Sequence, residues 1–456
     1  MNFTIQQAAK ACNGELCNAG GKENEKLQGA VIDSRKAEPG CLFFAVKGEK
    51  TDGHAFIGQA VKNGAVCVVC EKEPQVHIPY IKVESSLQAL KEIAEEYRKS
   101  LDITVVGITG SVGKTSTKEF IARILAEKYR VLYTEGNFNN EIGLPLTILQ
   151  IKEEHEVAVL EMGISEFGEM HRLSKMARPD ICVITNIGQC HLENLKSRDG
   201  ILKAKSEIFD YMNESGYIVL NGDDDKLLNL KDVKGIRPVY CGLCKECCDI
   251  YATDIVNKGL LGSEAKVHLK DLEIPVYIPL PGQHMICNAL LAVAVGNIMN
   301  LSPDEIQSGI QKMEAVSGRS HIIRTDRYTI IDDCYNANPV SMKAAIDLLS
   351  SVPGRKVAVL GDMFELGKDE EQMHAGVGQY AMERGTDLLL CVGTLSEWMY
   401  RQAEKTKKKT SEVRYFRNSE ELMKMLPDIL KKEDTLLVKA SHGMHFEEVV
   451  QRLKKV

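Results

Sequence analysis

The sequence predicts a three-domain α/β protein. Three observations point there: its length, the alternation of short apolar runs with helical stretches, and a glycine-rich turn that joins one such run to a helix. At 456 residues, and roughly 150 per domain, about three domains are expected, each able to bury its own core. Hydrophobic residues make up 44% and charged residues 27%, the composition of a globular chain rather than a disordered or collagen-like one. A formal charge of −7 argues against a nucleic-acid binder that relies on bulk positive charge. No apolar run reaches the ~18 residues needed to span a bilayer. Residues 1–16 lack the basic start and apolar stretch of a signal peptide. The 14 cysteines are therefore expected as reduced thiols in the cytoplasm, not as a disulfide frame.

Residues 1–84 read as a small α/β domain. Apolar runs at 29–32, 41–46 and 65–69 alternate with turns such as Lys47-Gly48-Glu49-Lys50-Thr51-Asp52-Gly53. A helix over 87–99, apolar on one face and charged on the other, leads into a second domain, 85–315. There the rhythm becomes strand, glycine turn, helix. The runs 103–108, 157–160 and 181–184 are continuously apolar, as strands of a mostly parallel sheet buried on both faces would be. Each ends in polar residues, at the sheet edge where α/β proteins bind ligands. A third domain, 316–456, has strand candidates at 329–331, 356–360, 387–392, 413–416 and 435–438. Helices at 340–349, 373–383, 419–431 and 446–454 separate them, which reads as a Rossmann-like sheet. No G-x-G-x-x-G follows its first strand, so no dinucleotide site is read there. The lysine run 405–409 reads as a solvated loop.

The strongest chemical signal is a phosphate loop, Thr109-Gly110-Ser111-Val112-Gly113-Lys114-Thr115-Ser116, between the run 103–108 and a helix expected over 117–127. Glycines let backbone N–H groups turn inward around phosphate oxygens, and the helix N-terminus adds partial positive charge. Lys114 can bridge β- and γ-phosphates, and the Thr115 hydroxyl can bind Mg²⁺. The strict G-x-x-x-x-G-K-[ST] pattern needs glycine at position 108, where Ile108 stands.

This altered glycine spacing resembles the loop of the Mur ligases and their folylpolyglutamate synthase relatives. Further blocks match that family in order. They include Gly136-Asn137-Phe138-Asn139-Asn140-Glu141, Leu160-Glu161-Met162-Gly163, Thr185-Asn186-Ile187-Gly188 with His191, and Ala204-Lys205-Ser206. Asn221-Gly222-Asp223-Asp224-Asp225, Pro281-Gly282-Gln283-His284 with Asn288, Gly318-Arg319, Asp333-Cys334-Tyr335-Asn336-Ala337-Asn338-Pro339 and Gly361-Asp362-Met363-Phe364-Glu365-Leu366-Gly367 follow. The last two resemble the branch that adds D-alanyl-D-alanine to a UDP-N-acetylmuramoyl tripeptide. Two other readings stay open: another amide ligase, of the diamino-acid-adding or folylpolyglutamate branch, and a nucleotide sensor descended from a ligase.

The resemblance implies an ATP-dependent ligase with two Mg²⁺ ions, acting as a cytoplasmic monomer on UDP-N-acetylmuramoyl tripeptide and D-Ala-D-Ala in peptidoglycan synthesis. A carboxylate takes the γ-phosphoryl of ATP, and the amine displaces phosphate from the acyl phosphate, chemistry that needs positioning and charge neutralisation. Lys114, Glu161, His191, Lys205 and Arg319 carry over as catalytic. Thr115 and Glu161 would hold the first Mg²⁺ with oxygen ligands. His191 would lie at the second, with Lys205 as a carbamate. Lys203, two residues away on a helix, points to roughly the opposite side. Thr109 to Ser116, Asn288, Arg319 and Asp333 would bind ATP. Arg319, between the second and third domains, would be delivered across a hinge by closure. Asn137, Asn139 and Asn140 would line the peptide side, and Tyr335, Asn336 and Asn338 the dipeptide side, since amides suit neutral peptide groups. In the N-terminal domain Asp33-Ser34-Arg35 and the stretch 44–54 resemble the UDP-binding segment, which implicates Ser34, Arg35, Lys47, Asp52 and His54.

There are departures from the family pattern. Met285 stands where the family often has Asn. Lys439-Ala440-Ser441-His442-Gly443-Met444 replaces a usual Lys-Gly-Ser-Arg-Gly-Met, so an anion contact from Arg is in question at His442. Cys241, Cys244, Cys247 and Cys248 have C-x-x-C-x-x-C spacing, which could hold zinc or an iron–sulfur cluster. Without a further ligand pair nearby, reduced cysteines in a surface loop are the preferred reading.

Overall fold

The computed structural model describes residues 1–48, 51–270 and 272–455. Glu49 and Lys50 of the 47–53 turn lie outside the described residues. Three sheets follow one another along the chain.

The first has the spatial order Glu15–Cys17, Tyr80–Lys82, Cys67–Cys70, Cys41–Phe44, Gly29–Val31, parallel except for its Glu15–Cys17 edge. The three apolar runs expected here are two of its inner strands and one edge. Glu15–Cys17 and Tyr80–Lys82 escaped notice because three residues carry no readable period. Helix Ser86–Lys99 opens where Ser85 accepts a hydrogen bond from the Gln88 N–H. It buries Ala89, Leu90, Ile93, Ala94 and Tyr97 in one apolar core that runs from Leu42 and Phe44 to Leu144 and Leu160.

The second sheet has nine strands in the order Leu272–Ile278, Ser263–Leu269, Ile250–Asn257, Val239–Gly242, Tyr217–Asn221, Ile181–Ile184, Thr104–Thr109, Val157–Glu161, Val131–Tyr133. Its first three strands form an antiparallel meander and the rest are parallel. The mostly parallel sheet is therefore as expected, with an antiparallel extension that was not. Ser263–Leu269 is buried only at alternate residues, so it carries no continuous apolar run. Thr104–Thr109 lies between strands that come later in the chain on both sides, which puts its carboxyl end at a switch point of the sheet.

The third sheet runs His321–Arg324, Thr329–Asp332, Thr435–Lys439, Lys356–Gly361, Leu388–Val392, Glu412–Phe416. The five expected strands are all present and mutually parallel, and an antiparallel edge strand, His321–Arg324, adds a sixth. Helix Ser396–Thr406, which was not expected, buries only Ser396, Met399 and Ala403, too thin a stripe to stand out. The last strand of the chain inserts beside the first parallel one, with Val438 opposite Asp332, and so brings Lys439 next to Asp333. Among the described residues no helix is long and apolar enough to cross a membrane.

Candidate active site

The phosphate loop leaves strand Thr104–Thr109 and enters helix Lys114–Leu125 directly. The helix begins at Lys114 rather than at the expected 117, because Gly113 in left-handed backbone (φ +84°) starts the first turn. A Cβ at Gly113 would lie 2.7 Å from Asn288 Oδ1, and one at Gly110 would run into Thr185 Oγ1. The turn 185–188 braces the loop. Ser111 N–H donates to Asn186 O at 3.0 Å, Val112 N–H donates to Asn186 Oδ1 at 3.0 Å, and Asn186 Nδ2 donates to Val112 O at 2.9 Å. Lys114 Nζ folds back over the loop and donates to Gly110 O at 2.8 Å. Thr109 is fully buried at the strand end, with an unpartnered hydroxyl.

Thr115 Oγ1 donates to Glu161 Oε2 at 2.9 Å, and Asn139 Nδ2 donates to Glu161 Oε1 at 2.8 Å. Glu161 is 1% exposed at the end of strand Val157–Glu161. A buried carboxylate held, among the described residues, by the neutral donors Thr115 and Asn139 is electrostatically incomplete, and oxygen ligands beside a phosphate loop fit a hard divalent cation.

Lys205 is buried on helix Arg198–Ser206, while Lys203 is exposed. Burial pulls the Lys205 ammonium down to about 8; the nearby Cys190 thiol and the Lys114 ammonium act on it more weakly and in opposite senses. The ordinary fate of a helix lysine, a solvated tip, does not apply here. His191 sits in left-handed backbone (φ +51°), and its Nδ1 lies 2.5 Å from Glu365 Oε2 without hydrogen-bond alignment. The imidazole holds the Glu365 carboxyl below the usual carboxylate range.

From the C-terminal side, the Arg319 guanidinium stacks over the Tyr335 ring, 4.0 Å from its centroid. Arg319 faces two adjoining cavities. One, of about 370 Å³, is also walled by Lys114, Thr115, Asn139, Asn140, Glu161, His191, Tyr335, Asn336, Asn338 and Glu365. The other, of about 120 Å³, is walled by Ser116, His284, Asn288, Asp333 and Lys439. Asn137 is exposed and lines neither. Asn140 Oδ1 accepts from Ile142 N and Gly143 N, and Asn338 caps helix Pro339–Ser350. Asp333 Oδ2 accepts from Lys439 Nζ at 2.6 Å and its Oδ1 from Ser320 N at 3.0 Å.

The N-terminal residues form a separate cluster that lines neither cavity. Arg35 pairs with Asp33, which it holds at about 2, and Ser34 is buried beneath. Lys47 bridges to Asp52 through the backbone. His54 Nδ1 is 2.7 Å from Asp52 Oδ1, and its Nε2 accepts from Glu71 N at 3.1 Å. Lys36 Nζ lies over the Phe138 ring, 5.6 Å away, which joins this cluster to the Asn139 loop. Cys241 is buried at a strand end, and Cys244, Cys247 and Cys248 are half-buried thiols in the following loop. Among the described residues no three His, Cys, Asp or Glu side chains converge as a metal site.

Three family models match the chain in order: Mur ligase family, catalytic domain, over residues 26–98; Mur ligase middle domain over 108–296; and Mur ligase, glutamate ligase domain, over 318–442. The chain belongs to the Mur ligase family. It is 37% identical to the UDP-N-acetylmuramoyl-tripeptide--D-alanyl-D-alanine ligase of Bacillus subtilis (strain 168), with 99% of this chain and 98% of that one covered. It is 35% identical to the Escherichia coli (strain K12) ligase of the same name, over 100% and 99%. A crystal structure of MurF from Acinetobacter baumannii matches 100% of this chain and 99% of its own at 30% identity and a TM-score of 0.90. The structure of MurF from Thermotoga maritima in complex with ADP covers 94% and 97% at 30% identity, with a TM-score of 0.81.

In this Mur ligase, the cavity residues that sequence reasoning passed over include Glu365, Lys439 and His284. Glu365 sits in a block that matches the family and Lys439 opens one that departs from it, and neither is assigned a function from sequence. His284 was quoted without a role, and burial lowers its imidazole further below neutrality. The departures also have places: Met285 Sδ accepts weakly from Asn288 Nδ2 at 3.7 Å, and the His442 ring lies 5.5 Å from that of Tyr335.

Proposed function

We infer that this chain is an ATP-dependent peptide ligase that joins D-alanyl-D-alanine to UDP-N-acetylmuramoyl tripeptide and so makes the pentapeptide precursor of peptidoglycan. One observation carries the reading. A phosphate loop, a buried cation-seeking carboxylate and an arginine from the C-terminal domain face a single cleft.

The central domain, 85–315, binds ATP along Gly110 to Ser116, with Asn288 on the adenine side and Asp333 toward the ribose. The Lys114 ammonium leaves Gly110 O and neutralises the β- and γ-phosphates, while first-turn N–H groups hold the phosphate oxygens. Arg319, from the domain 316–456, reaches the phosphates as the domains close. Its stacking on Tyr335 limits its rotamers, so closure delivers it already oriented. Two Mg²⁺ ions, when bound, would relieve the repulsion between triphosphate and tripeptide carboxylate. Thr115 and Glu161 would hold one; His191 and a carbamylated Lys205 would hold the other. Asn139 and Asn140 orient the tripeptide, and Asn137 borders its path. Tyr335, Asn336 and Asn338 face the dipeptide, whose amine attacks the acyl phosphate and expels inorganic phosphate. The domain 1–84 holds the UDP end through Ser34, Arg35, Lys47, Asp52 and His54. A cytoplasmic monomer suffices for this scheme, since one chain supplies every group.

Phosphate release from ATP tests the reading. Release is expected only with UDP-muramoyl tripeptide and D-Ala-D-Ala together. Release with a free diamino acid and the shorter UDP precursor would assign the chain to another Mur branch. ATP binding with no release under any pairing would make it a nucleotide sensor.

A further inference from the structure

The loop from Asp333 to Asn338 borders both cavities. Its first residue, Asp333, walls the smaller one beside Asn288. Its later residues, Tyr335 to Asn338, wall the larger one beside Lys114 and Glu161. One side chain grips both halves. Lys439, 3% exposed at the end of strand Thr435–Lys439, donates from Nζ to Asp333 Oδ2 at 2.6 Å, to Asn336 O at 2.9 Å and, at 3.4 Å, to Asp333 O. The pairing of Val438 with Asp332 sets this placement, because it carries Lys439 alongside Asp333 as both chains leave the sheet. A lysine ammonium has three protons and no acceptor function, so these contacts occupy all of its donors. Arg319 stacks on Tyr335, in the middle of the same loop.

We propose that Lys439 is a positioning residue that couples the nucleotide side of the active site to the dipeptide side, holding the Asn336 carbonyl and the Asp333 carboxylate in one fixed relation. Lys439 touches no reacting atom in this scheme. The buried ammonium fixes where the backbone at Asn336 turns, and with it where the Asn336 and Asn338 amides face the cleft. An apolar replacement leaves the buried Asp333 carboxylate with the Ser320 N–H but no counter-charge, and the Asn336 carbonyl without the lysine donor. An arginine keeps the charge but spreads its donors over a planar fork, which cannot reproduce a point donor to two oxygens.

The inference rests on the ligase reading above, and its test separates the two. Wild type, Lys439→Arg, Lys439→Met and the double variant Lys439→Met/Asp333→Asn are compared as full-length chains. Steady-state ligation gives KM for ATP and for D-Ala-D-Ala. Trapping of the acyl phosphate by hydroxylamine, without dipeptide, reports the first half-reaction alone. Circular dichroism and melting report folding. Lys439→Arg is expected to raise the dipeptide KM about tenfold, the effect of one hydrogen bond to a charged donor, while hydroxamate formation falls less than about threefold. Lys439→Met is expected to lose melting temperature as well. The double variant, with no orphaned charge, should recover that temperature and keep the raised dipeptide KM.

A dipeptide KM within about twofold of wild type in Lys439→Arg and in the double variant would overturn the proposal, as would an equal fall in hydroxamate formation and ligation. Wild type that forms no hydroxamate and ligates no dipeptide would instead overturn the ligase reading.

Discussion

His191 and Glu365 face each other where the central and C-terminal domains meet, with Nδ1 2.5 Å from Oε2, and both residues occupy left-handed backbone, at φ +51° and +62°. Such backbone costs a non-glycine residue roughly 1–2 kcal/mol, so the surrounding fold holds each residue there. The Glu193 N–H also donates to Glu365 O at 3.4 Å, a second tie between the same two segments. The Glu365 side chain is 55% exposed, which keeps the pair's contribution to stability small. Glu365→Ala should therefore shift the melting temperature by less than about 3 °C. Its kcat should still drop about tenfold, because the pair holds the domains at the spacing that delivers Arg319. Calorimetry and steady-state ligation would check this; an unchanged kcat would remove the pair from domain closure.

Gly113 and Asn288 make a second close approach. A methyl group at Gly113 would sit 2.7 Å from the Asn288 amide oxygen and would also have to accept φ +84°. Gly113→Ala should displace the Asn288 amide, proposed above to lie on the adenine side, and distort the first turn of helix Lys114–Leu125. ADP affinity, measured by calorimetry, is expected to fall at least about tenfold, on the scale of 1.4 kcal/mol. Wild-type affinity would mean that the loop relaxes around the methyl group and that Asn288 is not held against it.

The two large sheets were legible where burial is two-sided. Val105, Val106 and Ile108, or Leu388 to Val392, are apolar whichever way they point, so a parallel strand announces itself as a run. Strands wetted on one face were not legible: Ser263–Leu269 alternates Lys266 and His268 with buried partners, and His321–Arg324 is half-exposed along its length and exposed at Arg324. The phosphate loop was legible because glycine, lysine and threonine at that spacing have few other uses. Lys439 was not, since a lysine at a strand end ordinarily reaches solvent. Only the insertion of the last strand beside the first parallel strand of its sheet buries it against Asp333. The Glu365 contact depends on how two domains meet, which no local pattern encodes.

Lys114→Ala removes a cation that, among the described residues, donates to Gly110 O, within its own loop. The fold should persist, with a melting temperature near wild type. Turnover should fall by about 10³ or more, since preorganised charge at a transferring phosphoryl group carries much of such a barrier. Phosphate release in the presence of both substrates is the measurement. Near-normal release would remove the loop lysine from the mechanism.

Lys205 combines burial with a lowered proton affinity, about 8 against an ordinary lysine value of 10.5, and burial is the main cause. The sign of its effect on stability follows. Between about pH 8 and 10.5 the unfolded chain binds a proton that the folded chain lacks, so this group makes the fold more stable as pH rises through that window. Below pH 8 the folded chain carries the full penalty of a buried ammonium. Conversion of the neutral amine to a carbamate by CO₂ would replace that cation with an anion beside Lys114. At pH 8, where about half the side chains are neutral amines, added bicarbonate should raise the melting temperature. At pH 6 almost none are neutral, and bicarbonate should do little. Lys205→Ala should abolish the bicarbonate response and nearly all turnover, and a short carboxylic acid such as acetate should restore part of the turnover by supplying the missing oxygens. A bicarbonate response that survives Lys205→Ala, or full activity without the lysine, would place the anion elsewhere.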